Sequence, residues 1–175
     1  QGTLQDRIYK PVIRALAENG NEPKSLGRLC THPELRQISR SDVLEAIIVL
    51  TSSGDVAPAA KPSAAVRKQC KALNQYACER AKFDGDVRHL ASPVSGMGVA
   101  VGRMEQLFLA ALAAGKSTPA EQAERTWDVL GRQNQHILKD GKALATPAEN
   151  IAELTRMAQL FSDKRLTALK ALEIA

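Results

Sequence analysis

Twice in its second half the chain spells Thr-Pro-Ala-Glu, at 118–121 and again at 146–149. Each copy combines an N-cap hydroxyl, a proline at the first helical position where no amide donor is required, and a glutamate able to reach back to the threonine amide. Two such starts commit the sequence beyond residue 118 to helix. They also set the class: the period of the apolar residues almost everywhere is helical. Trp127 and Leu130 lie on the first of these helices, which is expected to run toward Ile137 and Leu138. Asp140-Gly141 turns the chain, and Ile151, Leu154, Ala158 and Phe161 stripe the second. Leu166 and Leu169 either continue that helix or begin another after Ser162.

Between Gly102 and Gly115, Met104, Leu107, Phe108, Ala111 and Leu112 form one more apolar stripe. The core behind these stripes must be aliphatic, because only six aromatics are present: Tyr9, Tyr76, Phe83, Phe108, Trp127 and Phe161. Hydrophobic residues make up 44% of 175 residues, enough for one domain or two small ones. The linker-like run Pro58-Ala-Ala-Lys-Pro-Ser63 favours two, with residues 1–60 as one subdomain and 61–175 as the other.

In the first subdomain, Leu4, Ile8, Val12 and Leu16 with Ile13 mark a helix ending at Asn19-Gly20, with Pro11 either starting its regular part or kinking it. A short helix follows Ser25, is interrupted at His32-Pro33, and gives way to a third helix capped within Ser39–Asp42 and running to about Thr51. Gly54-Asp55 then turns into an extended piece at Val56-Ala57. Helix, short helix, helix, turn and extended segment is the order of a winged helix-turn-helix. The third helix, Asp42 to Leu50, is apolar nearly all round and carries two acids but no Lys, Arg, Asn or Gln. It offers nothing to base edges or phosphates, and is expected to be buried against protein on more than one face.

In the second subdomain, Val66, Cys70, Leu73 and Ala77 follow helical spacing, with basic residues on the other side. The net charge of +5 is concentrated here: lysines and arginines number 7 against 3 acids in residues 61–90, and 7 against 7 and 10 against 9 in the flanking segments. A solvated helix face accounts for it better than a phosphate-binding patch. Residues 88–101 then change character. Leu90 to Val94 and Val99 to Val101 are short apolar runs around Ser95-Gly-Met-Gly98, the pattern of a hairpin, with Pro93 confined to an edge or strand end.

Chemistry-bearing motifs are sparse. His32, His89 and His136 lie in separate segments without metal-ligand spacing, and no zinc, calcium, Walker or nucleophile-elbow pattern occurs. Cys30, Cys70 and Cys78 read as free, buried thiols of a reducing cytoplasm. A Cys78–His89 pair is a poor catalytic candidate, because a thiol on an apolar helix face is normally just packed. No apolar run approaches the roughly 20 residues of a membrane span, and no leader peptide is visible, which points to a cytoplasmic protein. The chain opens on Gln1, as a piece of a longer protein would.

Asn74 to Cys78, Leu90-Ala91-Ser92-Pro93 with Gly96-x-Gly98-Val99, Gln106-Leu-Phe-Leu109 and Thr146-Pro147-x-Glu149-Asn150 resemble the C-terminal region of bacterial S-adenosylmethionine-dependent methyltransferases that carry a methyltransferase regulatory domain. The resemblance covers most of the chain, more clearly after residue 70. In that family a class I catalytic domain comes first, and some members methylate lysines of an outer-membrane protein. The resemblance implies a winged-helix-like module for regulation or substrate recognition. It implies S-adenosylmethionine in the parent protein but no cofactor in this part, since no acidic-x-Gly-x-Gly-x-Gly loop is present. The catalytic domain in cis and a protein substrate are the implied partners, and the isolated chain is not expected to be an enzyme.

Two other classes remain from the residues alone: a winged-helix regulator binding DNA through residues 61–82, against which the acidic third helix counts, and an oligomerisation module forming a homodimer. The candidate contact surface is the hairpin and its flanks, Arg88, His89, Ser92, Gly96, Met97 and Gly98, together with Arg67 and Lys71 of the basic helix face.

Overall fold

A computed structural model describes residues 5–175. The fold is mainly helical, with eight α-helices and two short hairpins among the described residues, and it divides into two compact units, Gln1–Lys61 and Pro62–Ala175. Leu4, the expected first residue of the opening stripe, lies outside the described residues.

The first unit holds α1 (Asp6–Asn21), α2 (Leu26–Cys30), a short 3₁₀ turn (Pro33–Leu35) and α3 (Arg40–Ser52). Regular helix in α1 breaks at Glu18, and Asn19 and Gly20 adopt left-handed φ values of 55° and 70°, the conformation that releases a helix end. Pro11 stands inside α1 and removes one backbone donor there. The Lys24 ammonium caps the exposed carbonyl end, donating to the carbonyls of Leu16 at 3.2 Å and Glu18 at 2.9 Å. Ser25 and Ser39 hydroxyls accept from Arg28 and Asp42 amides to start α2 and α3. Val12, Ala15, Leu29, Leu35, Val43, Ala46 and Leu50 form the core.

The helical order is the one read from the sequence. The burial of α3 on more than one face is not: Val43, Ala46 and Leu50 are buried, whereas Leu44 and Ile48 are 41% and 64% exposed. Three helices of this size have only one shared interior, so they cover a single face of α3. No strand follows α3 among the described residues. Val56 donates back to the Leu50 carbonyl, and residues 57–63 carry two prolines that cannot join a ladder.

The second unit comprises α4 (Ala64–Arg80), β1 (His89–Ala91), β2 (Gly98–Ala100), α5 (Arg103–Ala113), α6 (Pro119–Arg132), β3 (Leu138–Lys139), β4 (Lys142–Ala143), α7 (Pro147–Lys164) and α8 (Leu166–Ala171). The expected hairpin is present, antiparallel, with Leu90 opposite Val99. Both Thr-Pro-Ala-Glu starts are realised as reciprocal caps. Thr118 and Thr146 hydroxyls accept from the Glu121 and Glu149 amides, and the two carboxylates accept from the threonine amides. Those hydrogen bonds hold both carboxyls below the usual carboxylate range. Leu90, Val101, Leu107, Phe108, Leu130, Leu154, Phe161 and Leu169 lead the core, and the rings of Phe108 and Phe161 meet at 5.8 Å.

Two helix expectations need correction. α6 stops at Arg132 rather than running toward Leu138, because Asn134 turns left-handed at φ 52° and the Gln135 amide closes back on the Leu130 carbonyl. The chain after it pairs instead as β3 and β4, joined by Asp140 and Gly141, both at positive φ, the two-residue geometry that suits a hairpin. On α4, the buried line is Asn74, Ala77 and Cys78, continued by Ala81 just past the helix. Val66 and Leu73 are 40% and 57% exposed and share a flank with Tyr76. Helices α7 and α8 are separate, divided at Arg165.

The cysteines are unpaired, but only Cys78 is buried; Cys30 and Cys70 are half-buried. Burial pushes the Cys78 thiol up to about 11, so little thiolate forms there at neutral pH. In a native-state titration with a disulfide reagent, Cys30 and Cys70 are expected to react first, with Cys78 following only at the rate of opening; equal rates for all three would contradict this.

Candidate functional site

The hairpin of the second unit is held by three side chains from outside it, Asn74, Gln106 and Arg165. Asn74, 5% exposed, lies on the inner line of α4 and aims its carboxamide at the free edge of β1. Its Oδ1 accepts from the Ala91 amide at 2.7 Å and its Nδ2 donates to the Ala91 carbonyl at 2.9 Å. One side chain thereby supplies the donor and acceptor that a third strand would have supplied. Beneath β2, the buried Gln106 amide donates to the carbonyls of Val87 and Val101 at 2.6 and 2.8 Å. Arg165 reaches the Ala100 carbonyl at 2.8 Å and the Glu105 carboxylate at 3.3 Å.

Ser92 organises the turn. Its hydroxyl accepts from the Ser95 amide at 3.1 Å and donates to the Leu172 carbonyl at 2.8 Å, while its own carbonyl accepts from the Gly96 amide. Gly96 takes a left-handed φ of 66°, which closes the loop, and a Cβ added to Gly98 would sit 3.4 Å from that of His89.

The proposed contact residues therefore divide. Arg88, His89, Gly96, Met97 and Gly98 are exposed, Met97 at 50%, and lie along one hairpin. Ser92 is 2% exposed and its hydroxyl is engaged inside the fold. Lys71 is exposed on α4, whereas Arg67 is held by Glu173, Nε to Oε2 at 2.6 Å and Nη2 to Oε1 at 2.9 Å. That pairing raises the Arg67 guanidinium and lowers the Glu173 carboxyl from their ordinary values. The helical spacing of Val66 and Leu73 with Cys70 and Ala77 does not reveal that α4 carries an exposed apolar flank, Val66, Leu73 and Tyr76, with Phe83 beyond the helix at 73% exposure. The flank follows from the burial of Asn74, which turns the inner line around the helix and is not signalled by periodicity.

A second polar anchor fastens the smaller hairpin. Asn150, fully buried at the start of α7, accepts from the Ile137 amide at 2.8 Å and donates to the carbonyls of Leu144 and Thr146 at 3.1 and 2.8 Å. Glu153, one turn later, binds Arg156 and, through its other oxygen, Lys139 of β3 at 3.0 Å. The hydrogen bond from Arg156, and then that from Lys139, drop its pKa from 4.5 to about 2. A carboxyl depressed on folding contributes stability at pH above its unfolded value, and that contribution is lost as pH falls toward the folded one. The thermal midpoint is therefore expected to fall between about pH 4.5 and 2 by more in the parent chain than in Glu153→Gln; identical acid profiles would remove the role assigned to these pairs.

Among the described residues no group of three or more His, Cys, Asp or Glu is placed to hold a metal, and no helix is long and apolar enough to cross a membrane. One pocket, about 110 Å³, lies among α4, α5 and α6. A shallow groove of about 530 Å³ runs along the outer face of α7.

No family model matches the chain, and no solved structure matches it. It is similar to the uncharacterized protein sll1526 of Synechocystis sp., 35% identical over 176 residues. That alignment covers 98% of this chain and 33% of the relative, so the chain spans about a third of the relative's length.

Proposed function

We propose that this chain is a noncatalytic regulatory or substrate-recognition domain of an S-adenosylmethionine-dependent methyltransferase, C-terminal to the catalytic domain, acting on protein and working in the cytoplasm. The observation that carries the reading is where the family-like residues stand. Asn74, Ser92, Gln106 and Asn150 are all buried polar groups that fasten the two hairpins to the helices. Polar groups inside a core are tied to one backbone arrangement far more tightly than aliphatic ones, so a likeness at these positions bears on the fold of the second unit.

One further feature supports the reading. About two thirds of the Synechocystis relative lies outside the match, which leaves room there for a domain of another kind. The exposed hairpin edge and the apolar flank of α4 are the surfaces offered to the catalytic domain or the protein substrate.

Calorimetric titration of the chain against S-adenosylmethionine, and separately against the catalytic region encoded beside it, tests the reading. Binding to the catalytic region without heat from the cofactor is the expected result. Tight cofactor binding by the chain alone would overturn it.

A further inference from the structure

The apolar flank of α4 has a pattern that selects its occupant, independently of the methyltransferase reading. Val66, Gln69, Leu73, Tyr76, Arg80 and Phe83 follow one another at alternating steps of three and four residues, the spacing of a coiled-coil seam. All six are exposed. The Phe83 amide donates to the Arg80 carbonyl at 2.8 Å, so the turn after α4 carries the seam to its last member. Asn74, Ala77 and Cys78 hold the neighbouring face against the core, so the seam lies on a helix already fixed in place.

The order of residues along this seam is its own complement. Val66 and Phe83, Gln69 and Arg80, and Leu73 and Tyr76 are each equidistant from the midpoint between Asn74 and Gln75. A second copy of α4 laid antiparallel about that midpoint meets the first as aliphatic on aromatic at four levels and amide on guanidinium at the other two. Large side chains then lie opposite small ones, and the Gln69 carbonyl oxygen accepts from the second copy's Arg80. A parallel pairing instead sets Arg80 against Arg80, and a shift of one heptad sets Gln69 on Leu73 or Arg80 on Tyr76 and leaves one end of each seam unpaired.

Charge does not oppose the antiparallel arrangement. Asp84 neutralises Arg80 at 2.6 Å, and Lys82 neutralises Glu79 beside the seam. Lys68 and Lys71 stand roughly 110° and 170° around the helix from the seam's centre. We infer that the chain forms a two-fold symmetric dimer through this seam, an isologous contact in which each α4 supplies both halves. The hairpin edge is then the surface left to the catalytic domain. Tyr76 and Phe83, 62% and 73% exposed, present roughly 200–340 Å² per copy. Six side chains on one helix stay below the roughly 800 Å² per partner of a standard interface, so the dimer is reversible, with a dissociation constant on the order of 100 μM.

The test is sedimentation equilibrium of the whole chain from about 10 μM to 1 mM, which spans that constant. The weight-average mass is expected to rise from 18.9 kDa toward twice that value and no further. Leu73→Glu and Tyr76→Glu should each hold the chain at monomer mass, with thermal midpoints near the parent's because both side chains are exposed. Gln69→Glu sets a carboxylate opposite the second copy's Arg80 at two levels and should tighten association about threefold. Gln75→Glu changes the net charge equally but off the seam, and should leave association as it is.

The proposal is overturned by monomer mass throughout, by growth past the dimer, or by association that survives both Leu73→Glu and Tyr76→Glu. Weakening by Gln69→Glu, or equal tightening by Gln75→Glu, also overturns it. A chain that is monomeric alone yet binds the catalytic region through Leu73 and Tyr76 overturns it too, and gives the flank to that region.

Discussion

Phe108→Ala is expected to cost the second unit about 3–5 kcal/mol, enough to remove much of the stability of a domain of this size. Phe108 is 1% exposed on α5, and its ring meets that of Phe161 of α7 at 5.8 Å, tilted by 46°. The core around it is built of leucines and alanines on several helices, so no single neighbour can move in to fill the space. Urea unfolding followed by circular dichroism would give the number. A loss below about 1.5 kcal/mol would mean that the helices close over the cavity, as volume-conserving exchanges in tolerant cores do.

Asn74→Leu comes next, at about 2–4 kcal/mol, by a different route. Leucine fits the aliphatic line of α4, but it strands the amide and carbonyl of Ala91 beside the core with nothing to bond. Asn74→Asp separates the two halves of this loss. Its carboxylate can still accept from the Ala91 amide, yet it turns an oxygen toward the Ala91 carbonyl where a donor stood. Hydrogen exchange at the Ala91 amide should therefore accelerate strongly in Asn74→Leu and modestly in Asn74→Asp. Unchanged exchange in both variants would show that β1 keeps its outer edge without Asn74.

The contrast between these two residues explains what could be read ahead of the structure. Phe108 lies on an apolar stripe of helical period, and the stripe alone placed it inside. The Thr-Pro-Ala-Glu starts were equally legible, because an N-cap is made by residues three apart and needs nothing from the rest of the chain. Asn74, Gln106 and Asn150 were not, since hydrophobic periodicity counts an amide as surface. What buries each of them is a backbone edge supplied by a distant segment, 17 residues away for Asn74 and 13 for Asn150.

The same blindness misplaced Val66 and Leu73, and it hid the short β3–β4 pairing, whose two-residue strands are too brief to alternate. It governs the candidate site as well. Glycine spacing marked the hairpin tip, and Arg88, His89 and Met97 are exposed along it. Only the folded chain brings Ser92 to the Leu172 carbonyl and Arg67 to Glu173.

Those last two contacts set an order of events during synthesis. Arg67 must wait for a carboxylate that is translated 106 residues later, and the Ser92 hydroxyl for a carbonyl 80 residues on. At about 5–20 residues per second, α4 stands outside the ribosome for roughly 5–20 s before its guanidinium partner exists. The inner line of α4 is uncovered until β1 and α5 have emerged, and the flank bearing Val66, Leu73 and Tyr76 stays exposed in the finished fold. Any factor that binds nascent apolar helices meets this unit first at α4, and loses its inner line once β1 and α5 have arrived.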